Sequence, residues 1–205
     1  MRLQAPFETI TSSVDGEVLS VVARADAWFG APAIARILGD RSVPGVRASL
    51  KRLAAQGILE LRRAGRVEEY RLNGEHLAAG PIRELARLDD ELLRRLRAEI
   101  ERFSRAPLSV ALFGSAARGT MREDSDIDVF LMVSEDDDEM NSDIDRLMRR
   151  ITAWTGNDAR AFVVSDAWVL ERGASEPVIA DIAREGRWII GDRRMLERPK
   201  KVPVR

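Results

Sequence analysis

Two short apolar segments separated by a polar stretch limit the fold of this chain more than any other feature. Residues 107–114 and 126–133 each have the length and apolar character of a buried β-strand. The second segment starts with Asp126-Ile127-Asp128. Alternate side chains of a strand lie on the same face, so we expect Asp126 and Asp128 to project together while Ile127 faces the core.

The paired aspartates and the glycine at the end of the first segment indicate a metal site beside a phosphate site. Two carboxylates at short range repel each other unless a cation neutralises them, and hard oxygen ligands suit Mg²⁺ or Mn²⁺ bridging to substrate phosphates. Gly114 allows a close backbone approach where a strand enters a helix. The exposed amides there and the Ser115 hydroxyl can hold phosphate oxygens.

Residues 114–133, from the end of the first segment through the second, read GSAARGTMREDSDIDVFLMV. This stretch resembles the minimal nucleotidyltransferases of the DNA polymerase β-like superfamily. In that family, one or two divalent ions position a nucleoside triphosphate for in-line attack on its α-phosphorus, releasing pyrophosphate. The resemblance implies that Asp126 and Asp128 are the catalytic metal ligands. It also implies that Gly114 and Ser115 grip the triphosphate, with Arg118 as a weaker candidate for a phosphate contact.

A third carboxylate, which this family commonly takes from the following strand, is not found at the expected place. The strand predicted next covers residues 157–164, and the expected acid position falls nearest Arg160. Asp158 is close by and is a possible third metal ligand if the strand begins earlier. Loss of the third acid would leave either a slow enzyme or a domain that binds nucleotide without turnover.

The segments around this motif predict an α/β nucleotidyltransferase domain with a small mixed sheet over residues 106–192. Strands at 107–114, 126–133 and 159–165 alternate with a helix at 139–156, and two more helices follow near 166–172 and 176–185. A basic tail, which we expect to be frayed, covers residues 193–205.

The N-terminal part of the chain predicts three helices followed by a β-hairpin. Helices are expected over residues 16–25, 31–39 and 40–57, the last capped by Ser42 and stopped by Gly57. Two β-capable runs then flank Ala64-Gly65, as in a hairpin.

This order of elements resembles the winged helix-turn-helix of bacterial transcriptional regulators over residues 14–75, within a domain of residues 1–78. Such a module places a helix in the major groove and a hairpin against phosphates. The candidate DNA contacts are the basic residues of the third helix and of the hairpin: Arg47, Lys51, Arg52, Arg62, Arg63 and Arg66. Winged helices also serve as protein-binding modules, and exposed arginines are often only solubilising.

A predicted helix over residues 81–104 would form a linker, residues 79–105, between the two domains, and it is a plausible place for a homodimer to pair. The whole chain is then an α+β protein. It has no cysteine, which excludes disulfides and thiolate metal sites. No stretch approaches the roughly 20 apolar residues that span a bilayer, so we expect a cytoplasmic protein without a membrane partner.

Charge is distributed unevenly, and this asymmetry bears on partners. The stretch from Arg41 to Arg71 has eight basic and three acidic residues, whereas the stretch from Glu123 to Asp145 has eleven acidic and no basic residues. A basic N-terminal surface favours double-stranded DNA as a partner, while the acidic stretch contains the proposed metal ligands.

The main functional hypothesis is a DNA-binding nucleotidyltransferase that moves a nucleoside monophosphate from NTP to a hydroxyl acceptor. A regulatory or toxin–antitoxin setting is favoured, because relatives include antitoxin partners of HEPN-domain toxins that AMPylate the toxin, and such a toxin is a possible protein acceptor. The alternative is a transcriptional regulator whose transferase fold senses nucleotide with weak or no catalysis. An antibiotic-modifying enzyme is a third hypothesis, but it leaves the basic hairpin unexplained.

Overall fold

The computed structural model describes residues 1–39, 41–134 and 137–196, which form nine α-helices and two small sheets in a mixed α+β fold. The chain divides into two compact units. The N-terminal unit consists of Arg2 and Gln4–Asp89, and the C-terminal unit consists of Met1, Leu3 and Asp90–Arg205. Within the described residues, no helix has the length and apolar character needed to cross a membrane.

The N-terminal unit contains the three helices and the hairpin that the sequence predicts. Its elements are α1 Val14–Arg24, β1 Phe29–Gly30, α2 Ala31–Leu38, α3 Val43–Ala55, β2 Leu59–Ala64, β3 Val67–Leu72 and α4 Ala79–Ala86. The strands form an antiparallel sheet in the order β1-β3-β2. The short strand β1 was not predicted, because two residues are too few to show a periodic pattern.

Helix α3 forms for the reasons that the sequence suggests. The Ser42 hydroxyl accepts a hydrogen bond from the Gly45 amide at 3.2 Å, which satisfies a free donor of the first turn. Val46 and Leu50 are fully buried on one face. Gly57 follows the helix with a φ of +77°, a left-handed conformation that stops it.

The predicted single linker helix is wrong, since the structure forms two helices there. Helix α4 ends at Ala86, Arg87 departs from helical geometry with φ −113° and ψ 25°, and α5 runs over Leu88–Ile100. The apolar residues of α4 belong to the core of the N-terminal unit, whereas those of α5 belong to the core of the C-terminal unit. Because each core buries its own helix, the segment is not a free-standing linker.

The C-terminal unit is built on a four-stranded mixed sheet. Its further elements are β4 Ser109–Phe113, α6 Gly114–Arg118, β5 Ile127–Val133, α7 Asp138–Thr155, β6 Ala159–Ser165, α8 Asp166–Arg172, α9 Pro177–Glu185 and β7 Arg187–Ile190. The strand order is β6-β5-β4-β7; β5 and β6 are parallel and the other pairs are antiparallel. Strand β7 is the one element of this sheet that was not predicted.

Both faces of this sheet are covered, and the period of two along β5 decides what each face contains. Ile127, Val129 and Leu131 are fully buried and pack in one cluster with α5 and α7. Phe130 points to the other face, where it packs with α8 and α9. Asp128 has the same parity as Phe130, so it starts the strand on the α8–α9 face.

The first residues of the basic tail are ordered, contrary to the expectation that this segment is frayed. Arg193–Met195 form a 3-10 turn in which the Arg194 amide donates a hydrogen bond to the Asp192 side chain. Leu196 packs into the cluster under α9 with only 9% of its surface exposed. A buried leucine anchors this end. The rest of the predicted tail, residues 197–205, lies outside the described residues.

Candidate functional site

The turn from β4 into α6 brings the chain backbone against a carboxylate. Phe113 pairs with Asp128 across the two strands, so Gly114 follows directly beside that aspartate. Gly114 has a φ of +65°, and a Cβ at this position would lie 2.6 Å from Asp128 Oδ2. Glycine is therefore favoured here, because the backbone conformation strains any other residue and because a Cβ would force the Asp128 carboxylate to move.

The two aspartates of the motif lie close enough to influence each other. Ile127 between them is fully buried, and Asp128 is half-buried. Burial, and then the negative charge of Asp126, raise the pKa of Asp128, while Arg160 and Arg118 act in the opposite direction. The motif thus concentrates negative charge at a partly desolvated place, which favours a bound cation.

The start of β5 is positioned by the chain segment just before β6. Asn157 is 4% exposed, and its side-chain amide donates a hydrogen bond to the Ser125 carbonyl at 2.9 Å. The Ile127 amide donates to the Asp158 carbonyl at 2.8 Å. These two bonds hold the backbone on both sides of Asp126. Sequence reasoning missed Asn157, since nothing local distinguishes it from an ordinary loop asparagine.

Arg160 occupies the place where a third carboxylate was sought. In the parallel register of β5 and β6, Arg160 stands opposite Asp128. Its guanidinium Nη1 lies 2.9 Å from Asp126 Oδ2, and its side chain is 71% exposed. Sequence reasoning identified the position but assigned no function to the arginine.

Asp158 does not join the aspartate pair. Its side chain is exposed, and it is not among the groups that shift the pKa of Asp128. Throughout residues 1–39, 41–134 and 137–196, no group of three or more His, Cys, Asp and Glu side chains could hold a metal ion.

The donor set nevertheless fits one divalent cation of the magnesium type. Mg²⁺ usually binds to proteins through one or two carboxylates and completes its octahedron with water and substrate phosphates. Asp126 and Asp128 supply those two carboxylates. The glycine turn lies directly against the Asp128 carboxylate, so a phosphate bound at this turn would be next to both carboxylates.

The other two predicted nucleotide contacts lie on α6. Ser115 is half-buried next to Gly114. Arg118 ends the helix, and its Nη1 donates to Glu185 Oε2 of α9 at 2.9 Å. The hydrogen bond from Arg118 is the main reason that the pKa of Glu185 is lowered. Arg118 is therefore an ion-paired residue rather than a freely solvated one, and sequence reasoning missed Glu185.

Two of the six candidate DNA contacts are already engaged within the N-terminal unit. Arg52 Nη2 lies 2.5 Å from Asp15 Oδ1. Arg62 Nε lies 2.8 Å from Glu69 Oε2, and its guanidinium stacks over the Trp28 ring, 4.4 Å from the ring centroid. Both arginine side chains are exposed, at 57% and 51%, but each already has a carboxylate partner within its own unit.

The other four candidates are exposed: Arg47, Lys51, Arg63 and Arg66. As far as the structure describes the chain, none of these four forms an ion pair. Three of them, Arg47, Arg63 and Arg66, line a cavity of about 550 Å³ between α2, α3 and the β2–β3 hairpin, with Tyr70 in its wall. Three arginines without an ion pair therefore lie around one cavity of the N-terminal unit.

Comparison with protein families matches residues 93–174 to the nucleotidyltransferase domain family. The match covers less than half of the chain and lies within the C-terminal unit. It contains the β4–α6 turn, the aspartate pair and Arg160. A comparison with curated proteins finds no match.

Three solved structures resemble parts of this chain at low identity. A toxin–antitoxin complex with AMP-PNP is 20% identical over 51% of this chain and 77% of its own, with a TM-score of 0.38. A mutant of the toxin–antitoxin pair MntA-HpeT is 17% identical over 53% of this chain and 77% of its own, with a TM-score of 0.37. TrmBL2, an archaeal chromatin protein, is 13% identical over 88% of this chain and 77% of its own, with a TM-score of 0.30. At such TM-scores no conclusion about this chain rests on them.

Proposed function

We propose that the C-terminal unit is a metal-dependent nucleotidyltransferase that transfers a nucleoside monophosphate from NTP to a hydroxyl acceptor. One observation carries the proposal. The backbone of Gly114 approaches the Asp128 carboxylate so closely that a Cβ would collide with it. A triphosphate held at Gly114 and Ser115 would therefore lie directly against the aspartate pair.

Each residue has a defined part in this reaction. Asp126 and Asp128 hold the divalent cation, and Gly114 and Ser115 offer an amide and a hydroxyl to phosphate oxygens. Bound Mg²⁺ or Mn²⁺ would neutralise the charge that develops on the phosphates. The acceptor hydroxyl oxygen attacks the α-phosphorus in line, the bond between that phosphorus and the α–β bridging oxygen breaks, pyrophosphate leaves, and the hydroxyl proton passes to water. Arg118, close enough to influence Asp128, is available to a phosphate if it leaves Glu185.

A second candidate function is nucleotide sensing with little or no turnover, and Arg160 favours it. The place of a third carboxylate is taken by a cation 2.9 Å from Asp126. A guanidinium cannot accept the proton of the acceptor hydroxyl, so a general base at this position is lacking. The domain would then report nucleotide levels to the N-terminal unit.

For the N-terminal unit we propose a winged helix-turn-helix that binds double-stranded DNA. The support is the group of exposed basic residues without ion pairs on α3 and the hairpin, namely Arg47, Lys51, Arg63 and Arg66. Arg52 and Arg62 are held by carboxylates, so they should contribute less.

Oligomeric state and biological setting rest on sequence reasoning alone. Specific DNA binding by one winged helix is weak, so a homodimer on two half-sites remains part of the proposal. A toxin–antitoxin role with a HEPN-type toxin as acceptor depends only on the family resemblance.

Transfer is tested with α-labelled NTPs and Mg²⁺ or Mn²⁺, alone and with host-cell extract. The wild type is compared with the Asp126→Ala/Asp128→Ala double variant. Label moved by the wild type alone supports the transferase. If NTP binds but no label moves in any fraction, turnover is refuted and nucleotide sensing becomes the better explanation.

DNA binding is tested with two matched double variants, Arg63→Ala/Arg66→Ala and Arg52→Ala/Arg62→Ala. Each removes two positive charges from the same unit. Every lost phosphate contact should make the slope of log K against log salt shallower by about 0.9. We expect the first variant to lose affinity and nearly two units of slope, and the second to lose much less. Equal losses would refute the assignment of individual residues, and no binding by the wild type would refute DNA binding itself.

A further inference from the structure

The aspartate pair has a positively charged neighbour of its own. Arg160 Nη1 is 2.9 Å from Asp126 Oδ2, and the register of β5 and β6 sets the same residue opposite Asp128. The positive charge therefore acts on both carboxylates. Guanidinium stays protonated at every physiological pH, so this cation is permanent.

Such an arrangement changes how many metal ions the site can hold. An arginine has no lone pair to offer a metal, and its charge repels a cation placed beside it. A third carboxylate at this strand position would instead add a ligand and one negative charge. With Arg160 there, the described residues leave two carboxylates to a metal at this site: Asp126, which the arginine already contacts, and Asp128.

We propose that Arg160 is a resident counter-ion of this site, which competes with the divalent cation for Asp126 and restricts the aspartate pair to one ion. The inference rests on the proposed function, because it takes the aspartate pair as the metal ligands.

The arginine can leave when the metal arrives. Its side chain is 71% exposed, and Asp126 is 26% exposed, so the ion pair is of the weak, solvent-screened kind. A cavity of about 490 Å³ between α7 and the start of β6 opens beside it, lined by Met148, Arg149, Thr152, Asp158, Ala159 and Arg160. A long flexible side chain can turn into this space without moving the backbone.

The test is a Mn²⁺ titration of the full chain without nucleotide, in which free Mn²⁺ is followed by electron paramagnetic resonance. The variants are Arg160→Ala, Arg160→Asp and, as a charge-matched control, Arg149→Ala. Arg149 lines the same cavity but has no contact with the aspartates among the described residues. All three substitutions are on exposed surface, and circular dichroism checks that each variant folds.

We expect Arg160→Ala to bind Mn²⁺ about 1.4- to fivefold more tightly than the wild type, the factor that release of a partly exposed ion pair gives. Arg149→Ala should change the affinity less. Arg160→Asp should bind Mn²⁺ more tightly than Arg160→Ala and should bind a second ion.

Different results separate the inference from the function on which it rests. If the wild type binds one Mn²⁺ that Asp126→Ala/Asp128→Ala abolishes, but Arg160→Ala binds no more tightly than Arg149→Ala, only the counter-ion role is refuted. If Arg160→Asp still takes up a single ion, the limit on metal number is refuted. If no chain with intact aspartates binds Mn²⁺, the metal site and the inference are both wrong.

Discussion

Replacing Gly114 by alanine should damage stability and metal binding together. The residue has a φ of +65°, where a side chain costs about 1–2 kcal/mol. The new Cβ would also lie 2.6 Å from Asp128 Oδ2, well inside contact distance. The carboxylate must turn away from its preferred rotamer, which costs about 0.5–1.5 kcal/mol more. This rotation of the Asp128 carboxylate also displaces a proposed metal ligand.

Gly156 offers a matched control in the same unit. It caps α7 with a φ of +73°, and a Cβ added there would meet nothing within 4 Å. Gly156→Ala should therefore cost only the backbone strain of about 1–2 kcal/mol. A second comparison removes the collision itself: in an Asp128→Ala background, the nearest remaining atom is Cβ of residue 128, at 3.8 Å. There the cost of Gly114→Ala should fall to that of Gly156→Ala.

Urea unfolding at pH 7 measures these costs. It is followed by tryptophan fluorescence, because three of the four tryptophans lie in the C-terminal unit: Trp154, Trp168 and Trp188. The four chains of the cycle with Gly114 and Asp128 should give a coupling between about 0.5 and 3 kcal/mol. Mn²⁺ affinity should drop for Gly114→Ala and stay unchanged for Gly156→Ala.

Two results would refute this reasoning. A coupling of zero would mean that residue 114 and the Asp128 carboxylate do not meet in solution. Equal Mn²⁺ affinities of Gly114→Ala and Gly156→Ala would mean that the position of the carboxylate beside Gly114 is irrelevant to the metal.

Three further predictions concern single side chains of the C-terminal unit, and urea unfolding checks each. Burial and the neighbouring carboxylate raise the pKa of Asp128, so its ionised form lowers the stability of the fold above that pKa. This cost disappears below the ordinary carboxyl pKa. Asp128→Asn should therefore stabilise the unit at pH 7 but not at pH 3, and equal gains at both pH values would contradict this. Burial alone would raise the pKa of Asp143, but the hydrogen bond from the backbone amide of residue 104 and the ion pair with Arg146 outweigh it and hold that pKa below its usual value. Its ionisation therefore contributes stability above the ordinary carboxyl pKa, and this contribution is lost in acid. Asp143→Asn should cost about 1–3 kcal/mol at pH 7, and this difference should disappear when both chains are unfolded at a pH below the lowered pKa. Asn157→Ala leaves the Ser125 carbonyl without its donor and should cost about 1–3 kcal/mol and weaken Mn²⁺ binding, whereas a loss of stability with normal Mn²⁺ affinity would remove its positioning role.

Much of the local structure followed from the sequence, because it depends on residues close together along the chain. The helix start at Ser42 and its end at Gly57 are set by one hydrogen bond and one backbone conformation. The alternation of β5 likewise puts Ile127 in the core and leaves Asp128 on the other face. The Gly-Ser turn and the Asp-Ile-Asp segment could therefore be identified from local pattern, and their resemblance to a known family indicated the nucleotidyltransferase domain.

Pairing between charged side chains could not be read in the same way. Arg52, Arg62 and the unpaired Arg63 look alike in the sequence, and only the packed fold shows which of them meets a carboxylate. Arg52 and Asp15 are 37 residues apart along the chain, and Arg62 meets Glu69 across the hairpin, so these partners depend on helix orientation and strand register. Sequence patterns with a period of 2 or 3.6 carry no such information.

In the candidate site, too, some features follow from the local sequence and others only from tertiary contacts. The sequence by itself determined that two carboxylates share one face of a strand beside a glycine turn, because the geometry of a single strand requires it. The sequence also determined the opposite net charges of the stretches Arg41–Arg71 and Glu123–Asp145. Only the tertiary structure decided that Arg160 meets Asp126, that Asn157 holds the start of β5, and that Asp158 stays apart. Those contacts arise where β6 pairs with β5 across more than thirty residues of chain, and the free energy that selects such a register comes from the packed core.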